Sequence, residues 1–261
     1  MRVVDLERDM SDVIPTGTTR DSEYLFERMT RRTLELARGA GSRILDVASG
    51  FGQDLVPLAA GGTFAVGAEP SRRMMAFARM RRDEAGAPPL HLVRSWSDAL
   101  PFRSHSFDAV LCKGALDHFD RPDRAIAEMA RVTAPGGRVV LAIANFESLA
   151  CRLARWTDDL AEGWLGRPVG RGRRHYDVPA DHFTRYDLEL MREQAGAHLE
   201  LEVVEGISLG WGLPVWSRAV ERLPESVAGR LLAAVGGLAR WLPGYADVVI
   251  LAGRPRSSTA R

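Results

Sequence analysis

The sequence predicts an α/β fold in which helices cover both faces of a mostly parallel sheet. Apolar strand-like runs alternate with helical patterns as far as Ala144, and this alternation requires right-handed crossovers between parallel strands. A turn containing Gly50 and Gly52 follows the first run, and Glu69 ends the second. A glycine turn after one strand and a carboxylate after the next indicate a nucleoside pocket at the carboxyl edge of the sheet.

Composition restricts the class of protein. The chain has 261 residues, 46% of them hydrophobic, which supports a sizeable core. A formal net charge of +1 gives no general field for nucleic acid or a membrane surface. Cys112 and Cys151 suit a reducing compartment and form no metal-ligand pattern, so no metal site is predicted. The acidic N-terminal sequence and the short apolar run at 231–239 predict a cytoplasmic protein without a membrane span.

We predict a single domain, residues 1–261, made of four parts. Residues 1–40 form an N-terminal arm and a helix, and residues 41–146 form the ligand-binding core. Residues 147–186 interrupt the alternation of strands and helices and are predicted to be an insertion. Residues 187–255 supply the C-terminal half of the sheet with its helices.

Local patterns predict the individual elements in order. Apolar residues at helical spacing indicate a helix over Arg20–Arg38. Arg43–Val47 is short, rich in Ile, Leu and Val, and closes on a turn, which is typical of a buried strand. Residues 63–68 (TFAVGA) give the second strand. Ser71 is suited to cap the helix Arg72–Glu84.

The spacing of the glycines distinguishes between nucleoside ligands. A dinucleotide fingerprint needs G-x-G-x-x-G, but counting on from Gly50 and Gly52 places Leu55 at the third position. Asp54, at the mouth of the next helix, would repel a pyrophosphate, whereas a cationic ligand would tolerate it. The sequence therefore argues against a nicotinamide-dependent oxidoreductase.

Residues 46–52, DVASGFG, resemble the first motif of the class I S-adenosylmethionine-dependent methyltransferases, D/E-x-G-x-G-x-G, with Ala48 at the first glycine position. Residues 99–108 (ALPFRSHSFD) and 131–140 (RVTAPGGRVV) resemble the small-molecule branch of that family. Residues 181–196 are similar to the quinone-biosynthesis-like members. The resemblance implies a Rossmann-like, seven-stranded, mostly parallel sheet of order 3-2-1-4-5-7-6, with an antiparallel last strand.

The resemblance also implies that S-adenosyl-L-methionine is the cofactor. Asp46 would help to hold its methionine end, Glu69 would accept hydrogen bonds from the ribose diol, and Met74 would rest on the adenine. The other implied cofactor-binding residues are Ala48, Ser49, Gly50, Gly52, Pro70, Trp96, Ser97, Asp98, Lys113 and Gly114.

Besides Ala48, two of these residues depart from what the family pattern suggests. Family members usually have an acid four residues before the Leu of LPF, where this chain has Trp96. Either Trp96 stacks on the adenine while Ser97 or Asp98 bonds its edge, or the adenine site is damaged. Lys113 is unusual beside a cationic cofactor, and we expect it to turn outward or to meet the cofactor carboxylate.

The candidates for acceptor chemistry lie after the fourth strand and before the sixth. His118 has an imidazole that can remove a proton from a hydroxyl group near neutral pH, although it can equally cap or pack the next helix. His182 and Tyr186, in the sequence DHFTRY, are further catalytic candidates. Asn145, at the end of the fifth strand, is also expected to point into the pocket.

Two segments allow more than one interpretation. The insertion contains a glycine-rich, basic stretch that is either a solvated loop or a lid over the substrate; its basic residues are Arg167, Arg171, Arg173, Arg174 and His175. Pro214–Leu242 is predicted to form two helices broken at Pro224. Their apolar stripe is predicted to pack in the core, with a hydrophobic substrate channel or a homodimer face as alternatives; it consists of Leu223, Val227, Leu231, Val235 and Leu238.

The predicted function is methyl transfer from S-adenosylmethionine to a small-molecule acceptor by in-line displacement, with oxygen as the favoured acceptor atom and carbon and nitrogen left open. Such a reaction needs positioned reactants and no nucleophile motif, and the sequence contains neither G-x-S-x-G nor H-E-x-x-H. One alternative is C-methylation of a quinone-like or lipid-like substrate, suggested by the apolar C-terminal helices. The other is a non-catalytic binding protein of the same fold, suggested by Ala48 and Trp96. The signatures of enzymes that methylate DNA bases are missing.

Overall fold

The computed structural model describes residues 18–163, 174, 176–179 and 182–256. Residues 1–17 of the predicted N-terminal arm lie outside this part of the chain. Most of the basic stretch of the insertion does so too, including Arg167, Arg171, Arg173 and His175. The lid interpretation therefore stays a prediction.

Seven strands form one sheet: β1 (Arg43–Val47), β2 (Phe64–Ala68), β3 (His91–Val93), β4 (Phe107–Lys113), β5 (Thr133–Ala144), β6 (Leu199–Ile207) and β7 (Val248–Pro255). Their order is β3-β2-β1-β4-β5-β7-β6. The first five strands pair in parallel, and β7 lies antiparallel between β5 and β6. The predicted fold class, strand order and antiparallel last strand are confirmed.

The helices of the described residues are α1 (Arg20–Arg38), α2 (Leu55–Ala60), α3 (Arg72–Glu84), α4 (Pro122–Val132), α5 (Leu149–Gly163), α6 (Leu188–His198), α7 (Pro214–Arg222) and α8 (Glu225–Trp241). The predicted bounds of α1 and α3 are confirmed. The hydroxyl of Ser71 accepts a hydrogen bond from the Met74 N–H at 3.2 Å, as expected of the residue that caps α3.

The core lies on both faces of the sheet because successive strand residues point in opposite directions. Leu45 and Val47 of β1 pack with residues of α4 and α6, whereas Ile44 packs with residues of α1 and α2. Both faces of β1 are therefore covered, and its carboxyl end is held at a fixed position above the core.

Part of the predicted apolar stripe of the C-terminal helices is exposed to solvent. The chain does break at Pro224, but α8 buries Ala228, Leu232, Gly236 and Ala239 instead of the stripe. Val227 and Leu238 are 46% and 54% exposed. The prediction of core packing is wrong for these two residues.

Close contacts with the Tyr24 side chain of α1 and with the backbone of β6 explain which face of α8 is buried. A Cβ at Gly236 would lie 2.1 Å from the Tyr24 hydroxyl oxygen, and one at Gly206 would lie 2.2 Å from the Ala239 carbonyl oxygen. The helix can approach α1 and β6 this closely only through its small residues. Within the described residues, no helix is both long and apolar enough to cross a membrane.

Candidate active site

The turn after β1 forms the floor of the candidate site. Ala48, Gly50 and Gly52 have φ angles of +56°, +51° and +77°, so all three lie in the left-handed region. Glycine adopts this region freely, whereas a residue with a Cβ is strained by about 1–2 kcal/mol. The backbone therefore keeps the glycine-type conformation at Ala48, and the alanine adopts it at a cost.

Glu69 stands beside this turn at the end of β2 and is only 6% exposed. Its Oε2 accepts a hydrogen bond from the Gly50 N–H at 3.0 Å, and its Oε1 accepts one from the Ser71 N–H at 2.8 Å. Burial raises the pKa of the Glu69 carboxyl, and these two backbone hydrogen bonds oppose the shift. The carboxylate is fixed in orientation and keeps lone pairs that can accept further hydrogen bonds.

A buried ion pair lies below the turn. The Lys113 ammonium is 2.6 Å from the Asp54 carboxylate and 2.6 Å from the Thr30 hydroxyl. The two charged side chains are only 6% and 3% exposed. The expectation that Lys113 turns outward is wrong, because the carboxylate it meets is that of Asp54.

Asp46 shares the environment of this pair. Burial and the charge of Asp54 raise the pKa of the Asp46 carboxyl well above its usual range, while Lys113 acts in the opposite direction. Asp46, Asp54 and Glu69 are all buried, and Lys113 is bonded to one of them. The surplus of carboxyl groups favours a cationic ligand over a phosphate.

Two serine hydroxyls at the carboxyl ends of strands, Ser49 after β1 and Ser95 after β3, have no hydrogen-bond partner within the described structure. The Ser49 Oγ is buried beside β2, where a Cβ at Gly67 would come within 2.6 Å of it. The Ser95 Oγ, just after β3, is buried and unpartnered as well. Buried polar atoms are normally bonded, so a ligand with hydrogen-bonding groups fits this region. Ser95 was not among the predicted site residues, because nothing in the sequence distinguishes it from Ser97.

The residues predicted to surround the adenine differ in their burial and in their contacts. Met74 is buried, and its methyl group lies 3.4 Å from the position of a Cβ at Gly50, so it packs against the glycine turn. Trp96 is 44% exposed. Asp98 lies 3.9 Å from the Arg121 guanidinium. Stacking of Trp96 on the adenine stays a prediction.

The remaining predicted residues flank the same edge of the sheet. The Pro70 carbonyl accepts a hydrogen bond from Arg94 at 2.9 Å. Ser97 is half-buried. Gly114, directly after β4, has a φ of +61° with open space where a Cβ would stand.

Beyond Gly114, a short 3-10 turn (Leu116–His118) brings together Asp117, His118 and His182. The His182 Nε2 lies 3.0 Å from the Asp117 Oδ2, and the two imidazole rings are 4.0 Å apart between centroids. Asp117 is 3% exposed, and its Oδ1 has no hydrogen-bond partner among the described residues. We refer to these three residues as the His–Asp cluster.

The buried Cys112 thiol lies within electrostatic reach of both the His–Asp cluster and a cofactor-side carboxyl group. Burial, followed by the charges of Asp46 and Asp117, raises the pKa of the Cys112 thiol well above its usual range. Cys112 therefore lies within electrostatic reach of both carboxyl groups. The ring of Phe146 stands edge-on to His182 at 6.1 Å, which adds an aromatic wall.

Tyr186 and Asn145 are not part of this cluster. Tyr186 is fully buried in the core, and its hydroxyl donates to the Gln194 side chain at 2.7 Å. Burial also raises the pKa of Tyr186, so the phenol stays protonated. The Asn145 amide donates to the Gly244 and Ala246 carbonyl oxygens. These contacts fix both side chains within the fold, and the catalytic role of Tyr186 and the orientation of Asn145 toward the pocket stay predictions.

The strand order, the glycine turn and the carboxylate after β2 define a class I methyltransferase fold. Residues 45–141 match the family described as the methyltransferase domain. Residues 45–141 therefore carry the methyltransferase domain, within a sheet of the class I strand order.

Similar proteins extend this finding. The chain is 37% identical to a demethylmenaquinone methyltransferase of Renibacterium salmoninarum, over 51% of each chain. It is 30% identical to a ubiquinone biosynthesis O-methyltransferase of Xanthomonas oryzae pv. oryzae, over 64% of this chain and 66% of that protein. The chain spans about half the length of the first curated relatives it matches.

A solved structure from Thermotoga maritima, described as a possible histamine N-methyltransferase, has a TM-score of 0.55 to this chain. It is 19% identical and the match covers 90% of this chain and 93% of that one. At this identity the likeness concerns the fold alone.

Proposed function

We propose that this chain binds S-adenosylmethionine at the carboxyl edge of β1, β2 and β4 and transfers its methyl group to an oxygen of a small-molecule acceptor. The observation that carries the proposal is the fixed Glu69 carboxylate beside the glycine turn, with the His–Asp cluster beyond it on the same edge. The Glu69 carboxylate is suited to accept hydrogen bonds from a ribose diol, and the His–Asp cluster is suited to bind an acceptor hydroxyl.

The residues present fit this cofactor. Asp46 lies beside the turn, Glu69 has lone pairs for the ribose, and the Ser49 and Ser95 hydroxyls lack partners among the described residues. When bound, S-adenosylmethionine supplies a methyl group on a positively charged sulfur. The buried carboxyl groups favour a cation at this edge, and Met74 gives an apolar surface to the base.

On the acceptor side, the His–Asp cluster supplies the group that takes a proton. The Asp117 carboxylate, 3.0 Å from the His182 Nε2, orients that imidazole, and the His118 ring packs against it. In the protein without a bound metal ion, the His118 imidazole accepts the proton of the acceptor hydroxyl as the methyl group arrives. The transfer of this proton to the cluster prevents a positive charge from building up on the acceptor oxygen.

We further propose a quinol-like or phenolic acceptor. The names of the two curated relatives refer to demethylmenaquinone and to ubiquinone biosynthesis, and one of them is called an O-methyltransferase. The Phe146 ring beside His182 gives a flat acceptor an aromatic neighbour. C-methylation of a quinone-like ring is the second candidate, because the name of the first relative refers to demethylmenaquinone.

The test is a product assay with wild-type protein, S-adenosylmethionine and a panel of hydroquinones and phenols. We expect formation of S-adenosylhomocysteine together with an O-methylated product, detected by mass spectrometry. A ring-methylated product would favour the second candidate. Cofactor binding without any methylated product would favour a non-catalytic binding protein and contradict the proposal.

Location and assembly are proposals as well. Cys112 and Cys151 are buried free thiols, which supports a cytoplasmic location. Val227, Leu238 and Trp241 lie exposed on α8, which supports a homodimer through this helix. Light scattering on the purified protein tests the second proposal, and a monomer that persists at high protein concentration would contradict it.

A further inference from the structure

The His–Asp cluster offers one carboxylate and two imidazoles to a single point. One potential ligand atom from each of Asp117, His118 and His182 lies within 4.8 Å of the other two. Two imidazoles and one carboxylate form a ligand set found in catalytic zinc sites and in non-haem iron sites. We propose that this cluster binds one divalent transition-metal ion of the Zn²⁺ type and presents its open coordination position to the acceptor.

The distances suit such an ion. Metal–ligand bonds of about 2.0–2.2 Å in tetrahedral geometry place neighbouring ligand atoms roughly 3.3–3.6 Å apart. The Asp117 Oδ2 and the His182 Nε2 are already 3.0 Å apart. The widest pair of ligand atoms is at most 4.8 Å apart, which exceeds this spacing by about 1.2–1.5 Å, so we infer that rotation of the imidazole side chains closes the site on the ion.

Asp117 provides the second, independent observation. Its side chain is 3% exposed, and its Oδ1 has no hydrogen-bond partner within the described part of the chain. A buried carboxylate that is bonded through only one oxygen is poorly satisfied. A metal ion bound by this carboxylate would compensate its charge.

The backbone preorganises the site although its ligands come from two separate segments. The Asp117 carbonyl accepts hydrogen bonds from the N–H groups of Phe183 at 2.8 Å and Thr184 at 3.2 Å. The His118 N–H donates to the Ala115 carbonyl at 3.0 Å, and the His182 N–H donates to the Pro179 carbonyl at 3.0 Å. Both histidines are thus held next to Asp117 before an ion arrives.

Three protein ligands leave a fourth position open, as in catalytic zinc sites. An acceptor hydroxyl bound there would have its pKa lowered by the ion, and its proton would pass to solvent water. Both imidazoles would then be ligands and would no longer act as bases. This role in the reaction rests on the proposed methyl transfer, whereas binding of the ion does not.

The experiment is a calorimetric titration of chelator-treated, tag-free full-length protein with ZnCl₂. We expect one ion per chain, and we expect His182→Ala and His118→Gln each to weaken binding by at least about tenfold. His91→Gln is the matched control, because His91 lies at the start of β3, away from the carboxyl edge of the sheet. Co²⁺ bound to wild-type protein should show the visible absorption of a four- or five-coordinate ion.

Affinity for S-adenosylhomocysteine, measured in the same samples, separates the two proposals. Unchanged affinity in His182→Ala shows that the variant is folded and that its cofactor side is intact. The metal site is overturned if wild-type protein binds no stoichiometric Zn²⁺, or if both variants bind it as tightly as His91→Gln. Failure of wild-type protein to bind S-adenosylhomocysteine would instead contradict the proposed function.

Discussion

The cofactor side and the acceptor side of the candidate site are held together in different ways. On the cofactor side, Glu69 is fixed by the backbone N–H groups of Gly50 and Ser71, in one strand–turn–helix unit. On the acceptor side, Asp117 and His182 come from distant segments; backbone hydrogen bonds join these segments, but the carboxylate and the imidazole are fixed only by the contact between their side chains. Backbone contacts preserve a binding geometry through sequence change, whereas side-chain contacts can be exchanged. One scaffold can therefore keep one cofactor and serve many acceptors.

The largest expected effect concerns the acceptor side. We expect His118→Ala to lower turnover by about 10²–10⁴-fold, because the group that activates the hydroxyl is lost. Affinity for S-adenosylhomocysteine should stay unchanged, since no backbone contact of Glu69 is touched. Turnover is followed as S-adenosylhomocysteine release, with His91→Gln as control. Normal turnover in His118→Ala would return His118 to a structural role.

Next in size is the buried ion pair below the cofactor side. We expect Lys113→Ala to reduce the free energy of unfolding by about 3–5 kcal/mol, because it leaves Asp54 buried and uncompensated. Asp54→Ala should reduce the free energy of unfolding by less, since Asp46 also interacts with Lys113. Urea unfolding of both single variants and of the double variant measures the coupling. A double variant whose loss equals the sum of the single losses would contradict the pairing.

Glu69→Ala tests the fixed carboxylate itself. We expect binding of S-adenosylmethionine to weaken by about 1–3 kcal/mol, through the loss of its hydrogen bonds to the ribose. Glu69→Gln should lie between wild type and Glu69→Ala, because its amide oxygen can keep part of these bonds. Titration calorimetry gives the three affinities. Equal affinities would remove Glu69 from the ribose site.

The smallest expected effect is an increase in stability. Ala48→Gly should raise the free energy of unfolding by up to about 1 kcal/mol, because glycine adopts the left-handed conformation at this position without strain. Ala233→Gly, at an exposed position within α8, is the matched control and should lower it by about 0.5–1 kcal/mol. Thermal unfolding compares the two variants. A loss of stability in Ala48→Gly would show that the alanine is not strained.

The contrast between the cofactor side and the acceptor side also explains which parts of the site the sequence could predict. The unit from Arg43 to Glu69 is local, so the pattern of a strand, glycines and an acid is enough to predict it. The bond between Asp117 and His182 joins segments that are distant in the chain, and no local pattern predicts their approach. The pairing of Lys113 with Asp54 was not predicted for the same reason, because Lys113 ends β4 whereas Asp54 follows β1.

The packing of α8 explains why the prediction for its apolar stripe is wrong at Val227 and Leu238. In α8 the larger aliphatic residues form the apolar stripe, and hydrophobicity alone favours burying them. The structure buries the face that contains Gly236, because the Tyr24 side chain of α1 lies so close that only a residue without a side chain fits beside it. Hydrophobic periodicity predicts that a helix has a buried face, but the space left by the neighbouring elements decides which face it is.

The central claim is that the carboxyl edge of β1, β2 and β4 is an S-adenosylmethionine site. It is tested most directly by calorimetric titration of wild-type protein with S-adenosylmethionine and S-adenosylhomocysteine, with NAD as the control ligand. We predict micromolar binding of the first two and no binding of NAD. Absence of binding of both at millimolar concentration, or equal binding of NAD, would contradict the claim.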